Sequence, residues 1–258
     1  MRPAIQNGGN VRNVVFLFPG AWGNDSPERV LWWFEHQVVA LRTFDPQVEI
    51  VPIVYRGATF EDIVTDVVRR LCARQDSGIR PVALAYSMGR QVLAGVVDLL
   101  ETASAFKRVA HIGGVPRHGV PVLGTLDVFL AVPSFMFRAF GGTVMPANID
   151  EVNRIMCGGQ DAAHAAELLA SMSPERMWWK VAHLFLPGAR VTTEPIKAPT
   201  FVTLGTRDIF VRNADYSGDN VIELRRPDAY HGLIRIDPAS RPDLRAIWDE
   251  QARFLLEA

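Results

Sequence analysis

Short, uninterrupted apolar runs recur along this chain, each followed by a stretch whose apolar residues fall at helical spacing. Val14-Val15-Phe16-Leu17-Phe18 is the first such run. Continuous apolar character suits a strand covered on both faces, and alternation with helices is the pattern of a mostly parallel sheet. Pro19-Gly20 ends the run. Ser26-Pro27-Glu28 then reads as a helix start, with Ser26 as N-cap and Pro27 at the first helical position, the helix extending to about Leu41. Further strands are expected at Val48 to Val54 (weakened by Pro52), Pro81 to Ala85, Arg108 to Ile112, Thr200 to Leu204 and Val221 to Leu224. Helices are expected from Thr59 to Arg74, Met88 to Thr102 and Arg241 to Leu256. Between Val115 and Pro195 the alternation stops and only helical patterns appear. The division expected is a core of residues 1–115 and 196–258 with a helical insertion over residues 116–195.

Composition narrows the partners. Lys plus Arg total 27 and Asp plus Glu 28, with no long run of one sign, so the chain lacks the electrostatic footprint of a nucleic-acid binder. A small molecule is the partner expected. The two cysteines, Cys72 and Cys157, form neither a C-x-x-C pair nor part of a metal-ligand cluster. Each reads as a buried small hydrophobe, and a reducing cytoplasmic setting fits. The most apolar region, Val120 to Phe140, contains Asp127, Arg138, Pro121 and Pro133 and makes a poor membrane span. No integral membrane segment is expected, and self-association as a homodimer is left open.

The sharpest local feature is Ala85-Tyr86-Ser87-Met88-Gly89, set between a strand and an apolar helix. A nucleophile that projects from a tight strand-to-helix turn tolerates only small residues two places before and after it, and Ala85 and Gly89 occupy those places. The following helix aims its first N–H groups and the positive end of its dipole at the site. The competing reading of Ser87 is an ordinary N-cap. Arg90 stands where small residues are commoner; it either covers the helix surface or reaches a substrate anion, the former being preferred.

Phe18-Pro19-Gly20-Ala21-Trp22-Gly23-Asn24 follows the first strand. Gly20 allows close backbone approach, and the N–H of Ala21, or of Trp22, would pair with that of Met88 as oxyanion donors, on the order of 3 kcal/mol each. Of the six histidines, His231 alone lies on a loop after the sixth strand, beside Gly232. His36, His111, His118, His164 and His183 fall in expected helices, a strand or the insertion, where surface or core roles suit them. Asp208 lies in the loop after the fifth strand and would orient the imidazole. Asp215 and Asp219 are alternatives, and Asp228 is assigned to shaping the histidine's turn.

The order Ser87, Asp208, His231, each after an expected strand, is the Ser…Asp…His order of one triad class. On Pro19-Gly20-Ala21-Trp22-Gly23, Ala85-Tyr86-Ser87-Met88-Gly89, Gly205-Thr206-Arg207-Asp208 and Tyr230-His231-Gly232, the chain resembles the α/β-hydrolase superfamily over nearly its whole length. The resemblance implies an α/β fold of about six parallel strands flanked by helices. It implies a helical cap where the insertion falls, a Ser87–His231–Asp208 triad, an Ala21/Met88 oxyanion hole, and no cofactor or metal. Ala85 replaces the commoner glycine, and Pro19 stands where many members have histidine. The insertion's bulky residues, among them Leu126, Phe129, Phe135, Trp178 and Trp179, suggest an apolar pocket. Gly20, Trp22, Tyr86 and Trp178 are expected to line the substrate site. The function expected is cleavage of a hydrophobic ester, lactone or thioester. C–C hydrolysis, perhydrolysis or lyase chemistry on the same triad, and a ligand-binding receptor, are the alternatives.

Overall fold

The computed structural model describes residues 12–57, 59–74, 79–100, 106–115, 130–134, 145–173, 195–211, 214–216 and 218–257. Six strands, β1 (Arg12–Phe18), β2 (Glu49–Pro52), β3 (Ile79–Tyr86), β4 (Val109–Ile112), β5 (Thr200–Thr203) and β6 (Val221–Arg225), form one sheet. Its order is β2-β1-β3-β4-β5-β6 and every pair is parallel. Around it lie α1 (Pro27–Trp33), α2 (Glu35–Phe44), α3 (Phe60–Cys72), α4 (Gly89–Leu99), α5 (Ile149–Met156), α6 (Ala162–Ser171) and α7 (Pro242–Leu256). No described helix is long and apolar enough to cross a membrane.

The sheet is apolar on both faces, as the unbroken runs require. Val15, Leu17, Val82, Leu84, Ala110, Ile112 and Phe201 pack with Trp33, Phe34, Leu41, Trp248 and Leu255 of α1, α2 and α7. Val14, Phe16, Phe18, Ala83, Ala85 and Val109 face Ile63, Val67, Val92, Leu93 and Val96 of α3 and α4. The direction of winding reverses between β1 and β3, because β2 lies on one side of β1 and all later strands on the other. The carboxyl ends of these two strands mark the usual ligand position in an open parallel sheet.

Local chemistry sets the element ends. Ser26 Oγ accepts from the Arg29 N–H at 3.2 Å, with Pro27 following as the first helical residue. Thr59 and Asp62 form a capping box, with bonds of 3.0 and 2.9 Å. The helix expected from Ser26 to Leu41 is instead two. It breaks at Phe34 (φ −100°, ψ 15°). The break allows both Trp33 and Phe34 to be buried, and it leaves the Trp32 carbonyl to accept from Arg235 Nη1 at 2.6 Å. β2 is shorter than expected and lies at the sheet edge, where Pro52, without an N–H, is tolerated.

Of the insertion, α5 and α6 are described. They pack on each other and against the short 3-10 helix His231–Arg235, where the sequence predicts a loop. Arg235 holds this junction. It is 7% exposed, bonds Glu35 at 2.8 Å and Glu167 of α6 at 3.0 Å, and lies 3.9 Å over the Trp32 ring. The Arg235 bond is also the first cause holding the Glu35 carboxyl below its usual range.

Cys157 is buried, as expected, but Cys72, at the end of α3, is exposed. Burial, and secondarily Asp161, pushes the Cys157 thiol up to about 12. It is therefore protonated at neutral pH, and the thiolate is the reactive form. A colourless thiol reagent monitored by its released chromophore should titrate one thiol per native chain at pH 7.5 and two in denaturant. Two fast thiols in the native protein would contradict the burial of Cys157.

Candidate active site

Three loops at the carboxyl edge of the sheet bring Ser87, Asp208 and His231 together. His231 Nε2 lies 2.9 Å from Ser87 Oγ, and Nδ1 lies 2.7 Å from Asp208 Oδ2. A carboxylate can only accept, so Nδ1 carries the proton and Nε2 is left to accept from the serine hydroxyl. Asp208 is completely buried and His231 is 3% exposed. The second carboxylate oxygen accepts from the Phe210 and Val211 N–H groups at 2.9 and 3.2 Å, which fixes the Asp208 rotamer. Asp215 is exposed, and Asp219 pairs with Arg90, so neither alternative acid takes this place. Asp228 binds Arg207 and Thr206, tying the loop after β5 to the loop that carries His231.

Ser87 sits at φ +51°. A non-glycine residue in that region costs about 1–3 kcal/mol and persists only where its surroundings over-determine it. The surroundings do so here. Its N–H donates to the Ile112 carbonyl at 3.0 Å, and its carbonyl accepts from Arg90 and Val115 at 3.2 and 3.0 Å. Ser87 is not the cap of α4; the cap position is Met88 and the helix begins at Gly89. Gly89 is required by contact, since a Cβ there would stand 2.1 Å from the Phe18 carbonyl oxygen and 2.6 Å from that of Pro19. At Gly20 a Cβ would meet the Tyr86 ring at 2.9 Å and Ser87 Cβ at 3.0 Å.

No protein-family model and no curated protein sequence matches the chain. Solved structures do. An extracellular alpha/beta-hydrolase from a Paenibacillus species, described as sharing homology with tobacco salicylic acid binding protein 2, superposes with a TM-score of 0.66. It is 15% identical, over 95% of this chain and 99% of that one. The enol-lactonase of Burkholderia xenovorans gives 0.60 at 18% identity, over 95% and 92% of the two chains. RedJ, a thioesterase of prodiginine biosynthesis in Streptomyces coelicolor, gives 0.56 at 17% identity, over 93% and 86%. This chain has the α/β-hydrolase fold.

Within that fold, the loop after β1 is pinned from several sides. Tyr55 Oη donates to the Pro19 carbonyl at 2.8 Å and Asn24 Nδ2 to the Gly20 carbonyl at 3.2 Å. Trp22, at φ +68° and 5% exposed, offers its carbonyl to the N–H and Oγ of Ser173 at 2.8 and 3.1 Å. Neither the Ala21 nor the Met88 N–H donates to another described residue. Tyr86, expected on the substrate side, is 2% exposed and lies beneath the histidine. Its ring stacks on Trp33 at 5.7 Å and meets His231 at 5.2 Å, and its hydroxyl donates to the His231 carbonyl at 3.0 Å. Burial, then Asp208, raises the phenol well above its usual value, so it stays a neutral donor. Phe210 covers the imidazole from 4.6 Å. Trp178 lies outside the described residues, as do His118, His183 and most of the bulky residues of the insertion.

Sequence reasoning missed several neighbours. Gly113, at φ +51° after β4, brings bare backbone against Asp208 and His231; a Cβ there would be 3.2 Å from Asp208 Oδ2 and 3.3 Å from His231 Nδ1. The Gly113-Gly114 pair was the signal available. Arg90, expected at the helix surface, is 1% exposed and paired with Asp219. Among the described residues no cluster of His, Cys, Asp and Glu has the arrangement of a metal site.

Proposed function

We propose that this protein is a serine hydrolase that cleaves the acyl bond of a hydrophobic ester, lactone or thioester. The observation that carries the reading is the continuous line from Ser87 Oγ to His231 to Asp208, 2.9 and 2.7 Å, with the serine held at positive φ. Ser87 is the nucleophile. His231 Nε2 takes its proton as Oγ attacks the acyl carbonyl, while Asp208 stabilises the imidazolium through Nδ1–H. The Ala21 and Met88 N–H groups receive the oxyanion; with no acceptor among the described residues, both are available to it. His231 then returns the proton to the leaving oxygen or sulfur. Water, deprotonated by the same imidazole, releases the acid from Ser87. Each step balances with water as the sole co-reactant.

Gly20 and Trp22 form the wall beside the scissile carbonyl. The described helices of the insertion, α5 and α6, belong to a cap beside the histidine. The contacts of α5 and α6 with the His231–Arg235 helix favour that placement. The neighbours in fold include an enol-lactonase and a thioesterase, so the acyl substrates proposed lie within chemistry this architecture hosts. The test is covalent. A fluorophosphonate should add to the native protein at one site, mapped by mass spectrometry to Ser87, and p-nitrophenyl esters should be turned over with a preference for longer acyl chains. An adduct on another residue, or neither labelling nor turnover, would overturn the reading.

A further inference from the structure

We propose that Arg90 and Asp219 are a positioning pair, which holds the Ser87 turn in register with the backbone behind Asp208 and His231; the inference rests on the serine hydrolase reading. Both side chains are 1% exposed, and Arg90 Nη2 pairs directly with Asp219 Oδ2. The guanidinium joins three segments remote in sequence. Its own residue is in the first turn of α4, and its N–H donates to the Ser87 carbonyl at 3.2 Å. Nη1 donates to the Val115 carbonyl at 3.2 Å, and the Val115 N–H returns to that same Ser87 carbonyl at 3.0 Å. Ser87, Arg90 and Val115 thus close a ring of hydrogen bonds around the nucleophile's backbone. Asp219 completes the third segment: its Oδ1 accepts from the Ile196 N–H at 3.0 Å, at the approach to β5, whose following loop carries Asp208.

The same cluster controls the strand end that touches the acid and base. Tyr216 lies 5.4 Å from the guanidinium, and its hydroxyl donates to the Gly114 carbonyl at 2.5 Å. Arg90 and Tyr216 therefore grip two successive carbonyls, at residues 114 and 115. Gly113, one residue earlier, is the backbone packed against Asp208 Oδ2 and His231 Nδ1. His111, completely buried beside Arg90 and Tyr216, is held neutral first by burial and then by the guanidinium, so it does not compete for the carboxylate.

Stability alone is a poor account of the pair. Removing two charges from water offsets most of their attraction, and apolar or neutral replacements of similar volume are often neutral for folding. What such replacements lose is the planar fork that bonds both the Val115 carbonyl and Asp219. A strained serine needs that over-determination.

The test compares wild type, the double variant R90M/D219N and the single variant R90K, each measured for thermal midpoint, ester kcat and KM, and fluorophosphonate labelling rate. R90M/D219N should fold with a midpoint near that of wild type and keep its KM, while kcat and labelling rate fall together about 10- to 100-fold, the scale of a displaced reacting group. R90K keeps the charge but has no planar fork, so it should fall between the two. A folded double variant with wild-type kcat would overturn the proposal. Should the double variant fail to fold, R90K decides: full kcat overturns the proposal and reduced kcat at unchanged KM supports it. Absence of labelling in wild type itself would instead remove the serine hydrolase reading.

Discussion

Asp208→Asn is expected to lower kcat by about 10⁴ while the protein stays folded, because it reverses the tautomer of His231. The argument is one of hydrogen-bond direction. Asp208 Oδ1 accepts two backbone N–H groups, from Phe210 and Val211, and Oδ2 accepts from His231 Nδ1. In asparagine one of these atoms becomes an NH₂. If the amide oxygen stays with the two backbone donors, the NH₂ faces Nδ1, which must become an acceptor. The ring proton then resides on Nε2 and points at Ser87 Oγ, 2.9 Å away, where a base is needed. The opposite amide orientation sets NH₂ against two backbone N–H groups at a site with no exposure, leaving donors unsatisfied at about 1–3 kcal/mol each. That orientation would keep the tautomer but carries this penalty, so the NH₂ settles on Nδ1 and the base is lost. Circular dichroism and a thermal melt check the fold, and initial rates on an ester check kcat. A folded variant within tenfold of wild type would mean that Asp208 does not set the tautomer.

Gly89→Ala is expected to have the largest effect on the fold among single-methyl changes near the site. The new Cβ would lie 2.1 Å from the Phe18 carbonyl oxygen, 2.6 Å from the Pro19 oxygen and 2.7 Å from the Phe18 carbonyl carbon. These are backbone atoms at the end of β1, a central strand of the sheet, and cannot rotate away. Relief requires the start of α4 to move off the sheet, which carries Ser87 with it. Overpacking of this kind costs about 3 kcal/mol or more. For a chain of this size that is a fall of about 10 °C in melting temperature. Ester turnover should be lost in the fraction that still folds. Gly159→Ala is the control. Its backbone is at positive φ, +79°, unlike that of Gly89, but nothing lies within 4 Å of the added Cβ. Its cost should be confined to backbone strain, about 1–2 kcal/mol. Equal melting temperatures for the two variants would show that the contact with β1 is not limiting.

Much of this architecture could be read along the chain because the signals are local. An unbroken run such as Val14 to Phe18 reports a strand covered on both faces, and the spacing of Phe60, Ile63, Val64, Val67 and Leu71 reports the buried stripe of α3. Gly89, two residues after Ser87, reports the tight turn, because contact with the end of β1 excludes a side chain there. The chain order of Ser87, Asp208 and His231 was legible for the same reason: each follows a strand, and parallel strands deliver their following loops to one edge. Phe34 illustrates where this fails. Its helical periodicity continues across the break, and the reason for the break is the burial of two adjacent aromatics against the core, with Arg235 taking the freed carbonyl.

By itself, then, the sequence determined the alternation of elements, the two-sided burial of the sheet and the three residues whose types suit nucleophile, base and acid. Only the tertiary structure decided the order β2-β1-β3-β4-β5-β6, the burial of Arg90 against Asp219 and the place of Tyr86 beneath the histidine. Periodicity records which face of an element is apolar. It holds no record of which distant segment will meet a given polar group, and the partners of Arg90 and Tyr86 lie 129 and 145 residues away along the chain.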